Sequence, residues 1–479
     1  MYIYERLAEE LANAIINGQL PHGARLQSVR DFALMHQVSI NTVKTVYRLL
    51  EDRGLISARP QSGYYVNHSL PEQPHSNGNM VPDEEVSLTG VNRLLSVVME
   101  NQQRGDCIDL ALACPTGDVF YPVSRIKKLM AQHLRSGQHS QNVYCMPPGS
   151  KLLRTQVARR GMQLGMYLSA DDILITHGAM EALSIAVMAS TRYGDLIAVE
   201  TPTFYNLYPM LENMGRRIVS IPTHPQTGMC MDALKKVVDS EQVAAVLTIP
   251  TGHNPLGFIM PEDNRRQLAR MARRHEFAVI EDAMYAELQF GERIIPNIKA
   301  FDEDGWVMVC ASYTKTIAPD FRIGWLDAGR FRSRARQIKF STSVAESALL
   351  SETLGTFLES GGYDLHLRHL RRLYDRQIDT VRACIAKNFP ADTRVTRPQG
   401  GFILWIELPD GVDTLKLFHI ALEAKILCMP GLLCAGNRGF KNCLRMAVCF
   451  ILTEEYKNGI AQLGQLARRL VHEEAASQN

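Results

Sequence analysis

None of the ten cysteines stands three residues from another, so the chain holds no C-x-x-C pair. Neither a zinc ribbon nor a thioredoxin-type redox motif is therefore available to it, and no metal-ligand spacing is visible. The thiols lie in apolar stretches such as Met308-Val309-Cys310, the pattern of buried free cysteines in a reducing compartment. No apolar run is long enough to cross a bilayer. The opening residues Met1–Arg6 are helical in pattern and lack the apolar core of a secretion signal. An excess of either charge is missing too. The 52 Lys and Arg face 50 Asp and Glu, a net charge of +2, which excludes a polybasic or polyacidic protein. A basic face can still sit inside a neutral total. Internal repeats and low-complexity tracts are absent. What remains is the expectation of a soluble cytoplasmic protein. Its 479 residues are enough for about three domains, or one small and one large, at roughly 150 residues each.

The chain divides at a stretch rich in proline, glycine and polar residues, Ser69–Asn79, which reads as the start of a linker. We place the boundaries at residues 1–68, 69–105 and 106–479. Within the linker, Val91–Gln102 has helical character, with Leu94, Leu95, Val97 and Val98 available for one face, so the linker can end in a helix belonging to the next domain.

Residues 1–68 read as three helices and a hairpin. Leu7, Ala8, Leu11, Ala12 and Ile15 mark one helical face, and Gly18 is its stop signal. Ser28 can cap a second helix that turns Val29, Phe32 and Ala33 inward. Ser39 can cap a third, with Val43, Val46, Tyr47 and Leu50 as its buried stripe. The opposite face of that helix carries Asn41, Thr42, Lys44, Thr45 and Arg48, side chains suited to phosphates and base edges. The same face would equally suit a solvated interaction module. Gly54 ends the helix, and Leu55–Arg59 with Tyr64–Val66 form a hairpin across Pro60-Gln61-Ser62-Gly63.

Leu26-Gln27-Ser28-Val29-Arg30, Val38–Lys44, Leu49–Ile56 and Gly63-Tyr64-Tyr65-Val66 together resemble the GntR family of bacterial regulators, over nearly all of residues 1–68. The resemblance implies a winged helix-turn-helix that binds double-stranded operator DNA. Arg30 would touch the DNA backbone, Ser39, Asn41 and Lys44 would enter the major groove, and Gly63 would let the wing approach the minor groove. Two positions depart from the family. Ile40 stands where arginine is frequent and Gln27 where proline is, so no half-site sequence transfers.

Beyond the linker, short apolar runs alternate with amphipathic helices: Asp172–Thr176, Leu196–Glu200, Ala244–Ile249, Phe277–Ile280 and Trp306–Cys310. Such runs predict a mostly parallel sheet covered on both faces, with ligands at the carboxyl ends of the strands. The chemistry-bearing residues follow those strands. Glu281-Asp282-Ala283-Met284-Tyr285 comes after one, His253-Asn254-Pro255 after another, and Ser312-Tyr313-Thr314-Lys315 with Arg322 after a third. A lysine beside a buried strand, with Arg322, Asp282 and Tyr285 nearby, is the set that pyridoxal 5'-phosphate (PLP) needs. Lys315 would form the Schiff base and act catalytically in proton transfer. Asp282 would keep the pyridine nitrogen protonated, and Asn254 and Tyr285 would hydrogen-bond the ring phenolate. Phe204 could stack on the ring, with Tyr205 the next choice. Gly178-Ala179-Met180 opens a helix whose backbone donors suit the phosphate, and Ser312 and Arg322 would complete that cradle.

These motifs resemble fold-type I, class I aminotransferases over roughly residues 106–479. The resemblance implies a large α/β domain and a smaller C-terminal α+β domain in a homodimer with shared sites. Tyr144 would reach the neighbouring subunit's phosphate and Arg445 would bind the substrate carboxylate. Arg397–Phe402 matches the loop that opens the smaller domain. The segment Ala113-Cys114-Pro115-Thr116-Gly117 replaces a more glycine-rich one, which leaves the substrate contacts there open. Together the two halves resemble the MocR subfamily of GntR-type regulators. Three readings follow: a PLP-dependent transcriptional regulator sensing an amino acid, an amine or PLP; an active aminotransferase with a DNA-binding appendage; and a module that senses PLP alone.

Overall fold

The computed structural model describes residues 2–16, 19–59, 62–67, 89–136, 144–436 and 439–477. The stop signal at Gly18, the hairpin residues Pro60 and Gln61, and the linker stretch Ser69–Asn79 lie outside the described residues.

The N-terminal module follows its hydrophobic periodicity. Helices α1 (Ile3–Ile16), α2 (Val29–Met35) and α3 (Ile40–Asp52) precede the antiparallel strands β1 (Ile56–Arg59) and β2 (Gly63–Val66). Ser28 and Ser39 cap α2 and α3, their hydroxyls accepting the amides of Asp31 at 3.2 Å and Thr42 at 3.0 Å. Val43, Val46, Tyr47 and Leu50 on α3 are fully buried against Leu7, Ala8 and Ala12 of α1 and Phe32 and Ala33 of α2. Burying each large side chain contributes roughly 1.5–3 kcal/mol before conformational entropy is counted. The Tyr47 hydroxyl donates to the Gln27 carbonyl at 2.8 Å, tying α3 to the entry of α2.

The large lobe is built on an eight-stranded sheet among the described residues. Its spatial order is Ile173–Thr176, Gly324–Asp327, Val307–Ser312, Ala278–Asp282, Val243–Thr248, Leu196–Thr201, Arg217–His224 and Gly228–Met229. The strands from Val307–Ser312 through Arg217–His224 pair in parallel. Gly324–Asp327 runs antiparallel to both its neighbours, and Gly228–Met229 turns back as a hairpin. All residues of Ile173–Thr176, Leu196–Thr201, Ala278–Asp282 and Val307–Ser312 are buried, because helices cover both faces.

The smaller lobe carries a four-stranded antiparallel sheet in the order Arg394–Val395, Ile403–Glu407, Cys443–Ala447 and Met429–Pro430. The long helices Gly362–Asn388 and Glu454–Ser477 pack against each other beside it. The helix Thr89–Arg104 fills the second half of the segment assigned to the linker. Its Leu95 and Val98 bury into the main core, so this helix belongs to the large block. The ten cysteines are free; five, including Cys310 and Cys449, are buried, and Cys230 is exposed. Among the described residues no helix is long and apolar enough to cross a membrane.

Candidate cofactor site and nucleic-acid interface

Three parallel strands deliver the polar cluster of the large lobe. Asp282 is the last residue of Ala278–Asp282, Ser312 the last of Val307–Ser312, and Asn254 follows Val243–Thr248 by one loop. Side chains at such strand ends escape the all-apolar layer while their backbone stays in register.

Asp282 is buried, and its Oδ1 accepts the Met284 amide at 3.0 Å. Burial and the nearby Glu200 push its carboxyl up to about 6, while Lys315 pulls the other way. Lys315 is half-buried in the chain, and burial lowers its ammonium pKa; it also feels the cations Arg322 and Arg445. A lowered pKa raises the share of neutral amine, the form that attacks a carbonyl. Tyr285 is buried and its phenol is held well above the ordinary range, first by burial, with Arg445 opposing and Asp282 adding. Asn254 is buried, and its Oδ1 has no hydrogen-bond partner. Arg445, on the strand Cys443–Ala447, is 1% exposed. Its Nη2 donates to the Ala111 carbonyl, but Nε and Nη1 have no partner. Buried donors left unpaired are costly in a folded chain and mark a place where an acceptor can bind.

The opening of the helix Gly178–Ser190 meets Arg322. Gly178 has φ +76°, and a Cβ there would lie 2.8 Å from Arg322 Nη2, so only glycine allows this approach. The opposing strand residue Gly324 is constrained in the same way: its Cβ would lie 2.5 Å from the Gly178 carbonyl carbon. The first amides of a helix, those of Gly178, Ala179 and Met180, have no intrahelical acceptor and suit an anion. Ser312 is buried; its hydroxyl donates to the Ile323 carbonyl at 2.8 Å and accepts the Thr314 amide at 3.1 Å. Phe204 and Tyr205 stand edge to face at 4.8 Å, and Tyr205 is the ring beneath the Arg445 guanidinium, 5.6 Å from its centroid. Tyr144 is exposed on the single chain, next to Cys145, which bridges to Glu346.

Two features escaped the sequence reading. Glu200, at the end of Leu196–Thr201, is fully buried, and its Oε2 accepts the Ile249 amide at 2.7 Å. His253 Nδ1 accepts the Leu256 amide at 3.2 Å, so Nε2 carries the ring proton and faces that carboxylate at 3.3 Å. A glutamate closing an apolar strand was the available signal. The second feature is a thiol pair. Cys114 and Cys449 both influence Lys315 and Tyr285, and Tyr121 Oη lies 3.9 Å from Cys114 Sγ. No spacing in the sequence links residues 114 and 449.

On the N-terminal module, Arg30, Ser39, Asn41, Lys44, Arg48 and Gly63 are exposed and Thr42 is half-buried. Ile40 lies among them at 46% exposure, an apolar group on an otherwise hydrogen-bonding face. The wing residue Arg59 stacks over the Tyr65 ring at 4.4 Å. Arg53 does not join that face: it is buried and turned toward the large block.

Residues 3–66 match the model of bacterial regulatory proteins of the gntR family, and residues 106–463 match aminotransferase class I and II. Two Escherichia coli proteins described as uncharacterized HTH-type transcriptional regulators are similar along their whole length. YjiR is 34% identical, covering 97% of this chain and 99% of its own. YdcR is 31% identical over 97% and 98%. Among solved structures, Pyrococcus horikoshii kynurenine aminotransferase superposes with a TM-score of 0.73 at 27% identity, over 80% of this chain and 95% of that one. The α-aminoadipate aminotransferase LysN of Thermus thermophilus, solved with N-(5'-phosphopyridoxyl)-L-leucine, gives 0.72 at 25% identity, over 80% and 97%.

Proposed function

Because this chain belongs to the class I and II aminotransferase family and carries a gntR-family regulatory module at its N-terminus, we propose that its cofactor site governs its DNA binding. DNA binding and the PLP fold come with the two families; the sensing role is our reading. The effector is an amino acid, an amine or PLP itself, and the working form is a cytoplasmic homodimer.

What supports this reading is that Asp282, Lys315 and Tyr285, which follow the strand ends of the large sheet, act on one another and on Arg445 of the smaller lobe, in a chain that also holds a winged helix. The residues fit PLP. Asp282 is a buried carboxyl that forms no ion pair among the described residues, and a pyridinium N–H would supply one. Asn254 Oδ1 and Arg445 Nε and Nη1 are buried and unpartnered. Gly178 lets the helix start approach the Arg322 guanidinium closely, which sets a cation beside amides that suit an anion. When bound, PLP supplies an aldehyde for amines and a ring that accepts electrons. Lys315 then holds the cofactor and moves a proton through its amine. Asn254 and Tyr285 orient the ring, with Tyr205 or Phe204 covering one face. Arg445 receives a carboxylate, which selects amino acids over simple amines. Tyr144 contributes from the neighbouring subunit.

The second reading, an active aminotransferase, is favoured by the same unpaired Arg445 donors, since a sensor of PLP alone has no use for them. One experiment separates the readings. Amino acids and amines are added to the PLP-loaded protein while the visible spectrum is followed and keto-acid product is assayed. A spectral change without product supports the sensor, and sustained product supports the enzyme. Lys315→Ala is expected to abolish the visible absorbance of the covalently bound cofactor; its retention would overturn the site assignment.

A further inference from the structure

The N-terminal module is seated on the long helix Gly362–Asn388 around the buried carboxylate of Asp379, with Asp375 close by and pushed up to about 6 by burial and by Asp379. Arg53, the C-cap of α3, donates from Nη2 to Asp379 Oδ2 at 2.5 Å and from Nη1 to Glu9 Oε1 at 2.9 Å. The two partners of the inter-domain pair are 5% and 1% exposed. The backbone beside them touches as well: a Cβ on Gly54 would lie 2.9 Å from Ala383 Cβ. Arg372 adds a looser contact, 3.7 Å from Glu5.

The other oxygen of Asp379 faces a different body. Arg397 Nε lies 3.9 Å from Oδ1, which has no hydrogen-bond partner. Arg397 opens the loop that runs to Gly401, and that loop lies against two of the segments carrying the proposed cofactor residues. Pro398 packs at Gly257, where a Cβ would approach it to 2.8 Å, three residues beyond Asn254. The Gly400 carbonyl closes on Gly252, and the Gly401 amide donates to the Leu288 carbonyl at 3.1 Å, just past Tyr285. Packing within one loop thus joins the segments of Asn254 and Tyr285 to Arg397. Asp379 is nearly sealed from water, so its charge is balanced by neighbouring cations and not by solvent. A change in the Arg397 distance alters how strongly that carboxylate holds Arg53.

We infer that Asp379 couples the two halves of the molecule: it is shared between Arg53 of the DNA-binding module and Arg397 of the loop beside the cofactor residues, so occupancy of the cofactor site changes how the module is seated. This rests on the proposed PLP reading and adds the residues that carry its signal. The physical warrant is a contact chain with one member common to both sites, which a coupling free energy requires and a variant can cut.

The test uses the full-length protein with PLP as the probe. PLP loading is read from visible absorbance, and the seating of the module from amide hydrogen exchange in α1 and the C-terminal turn of α3. In the native protein, loading is expected to change exchange there by at least about three-fold. Arg397→Gln is expected to load PLP normally and to lose that response. Arg53→Met is expected to raise exchange at the α3 end with or without PLP. Asp379→Asn repeats the Arg397 result if it folds, and the two arginine variants carry the test if it does not. A native-like response in Arg397→Gln would overturn the coupling while leaving the cofactor reading intact, as would PLP loading in the native protein with no change in α1 or α3. Failure of the native protein to load PLP would instead overturn the cofactor reading, and the coupling with it.

Discussion

Asp282 illustrates what burial does to a functional group before its partner arrives. Its carboxyl is raised from 3.8 to about 6, mainly by desolvation, so the folded apo-protein binds that proton more tightly than the unfolded chain does. Stability linked to Asp282 is present at low pH and lost as pH rises through 6, and the buried carboxylate costs about 3 kcal/mol at pH 8. Asp282→Asn is accordingly expected to raise the melting temperature of the PLP-free protein at pH 8. The gain should shrink to about half by pH 5 in thermal unfolding, while PLP affinity falls in the same variant. Arg445 makes the opposite case, a permanent cation whose Nε and Nη1 await an acceptor. Arg445→Gln should leave PLP loading unchanged and weaken the spectral response to amino acids roughly 10- to 100-fold, the worth of a charge-assisted hydrogen-bonded pair. An unchanged response would remove the carboxylate from the reading of the site. Asp282 was nominated from the sequence because it follows an apolar strand run, whereas Arg445 was nominated only through the resemblance to aminotransferases. Glu200 and His253 were harder to see, since their pairing depends on two strands meeting.

Elements whose periodicity and caps agree were read closely. The buried stripe of α3 and its Ser39 cap appear at the residues the pattern named. Ser39 serves the helix with the same hydroxyl the family resemblance assigns to DNA. Ser39→Ala should therefore cost about 1 kcal/mol of local stability, read as a roughly five-fold rise in amide exchange in the first turn of α3. Operator affinity would fall along with it; unchanged exchange would mean that the hydroxyl is not supporting the helix. Five apolar runs became five strands of the main sheet. Gly324–Asp327 did not announce itself. It is four residues long, and its strand character comes from antiparallel neighbours on both sides, Val307–Ser312 and Ile173–Thr176. Context of that kind overrides local propensity. The helix Thr89–Arg104 is intermediate: its apolar face was visible, but its membership of the large core was decided by what Leu95 and Val98 touch.

Across the whole molecule, charge is spent locally. Within residues 1–68, seven Lys or Arg (6, 25, 30, 44, 48, 53, 59) stand against six Asp or Glu (5, 9, 10, 31, 51, 52), a difference of +1. Arg53 is taken up by Asp379 and Glu9; of the other exposed cations Arg25 lies beside Gly63 in the wing, and Arg30, Lys44, Arg48 and Arg59 are the four read from the sequence as facing DNA. If two modules each place these four on phosphates, the slope of log affinity against log salt should be about −7, and half that if one engages. A titration of operator binding against salt checks this, and a slope near zero would deny the face its role.

The sequence by itself determined the two-part organisation, the helix stripes and caps, the parallel apolar strands and the order of the cofactor motifs. Each of these is a local pattern of polarity along the chain. The tertiary structure decided which groups became neighbours across tens to hundreds of residues: Glu200 with His253, Cys114 and Cys449 near Lys315, and above all Arg53 with Asp379, separated by 326 positions. Burial then set what those groups could do, because removing water raises the Asp282 carboxyl, lowers the Lys315 amine and obliges Asp379 to find its counter-charges within the protein.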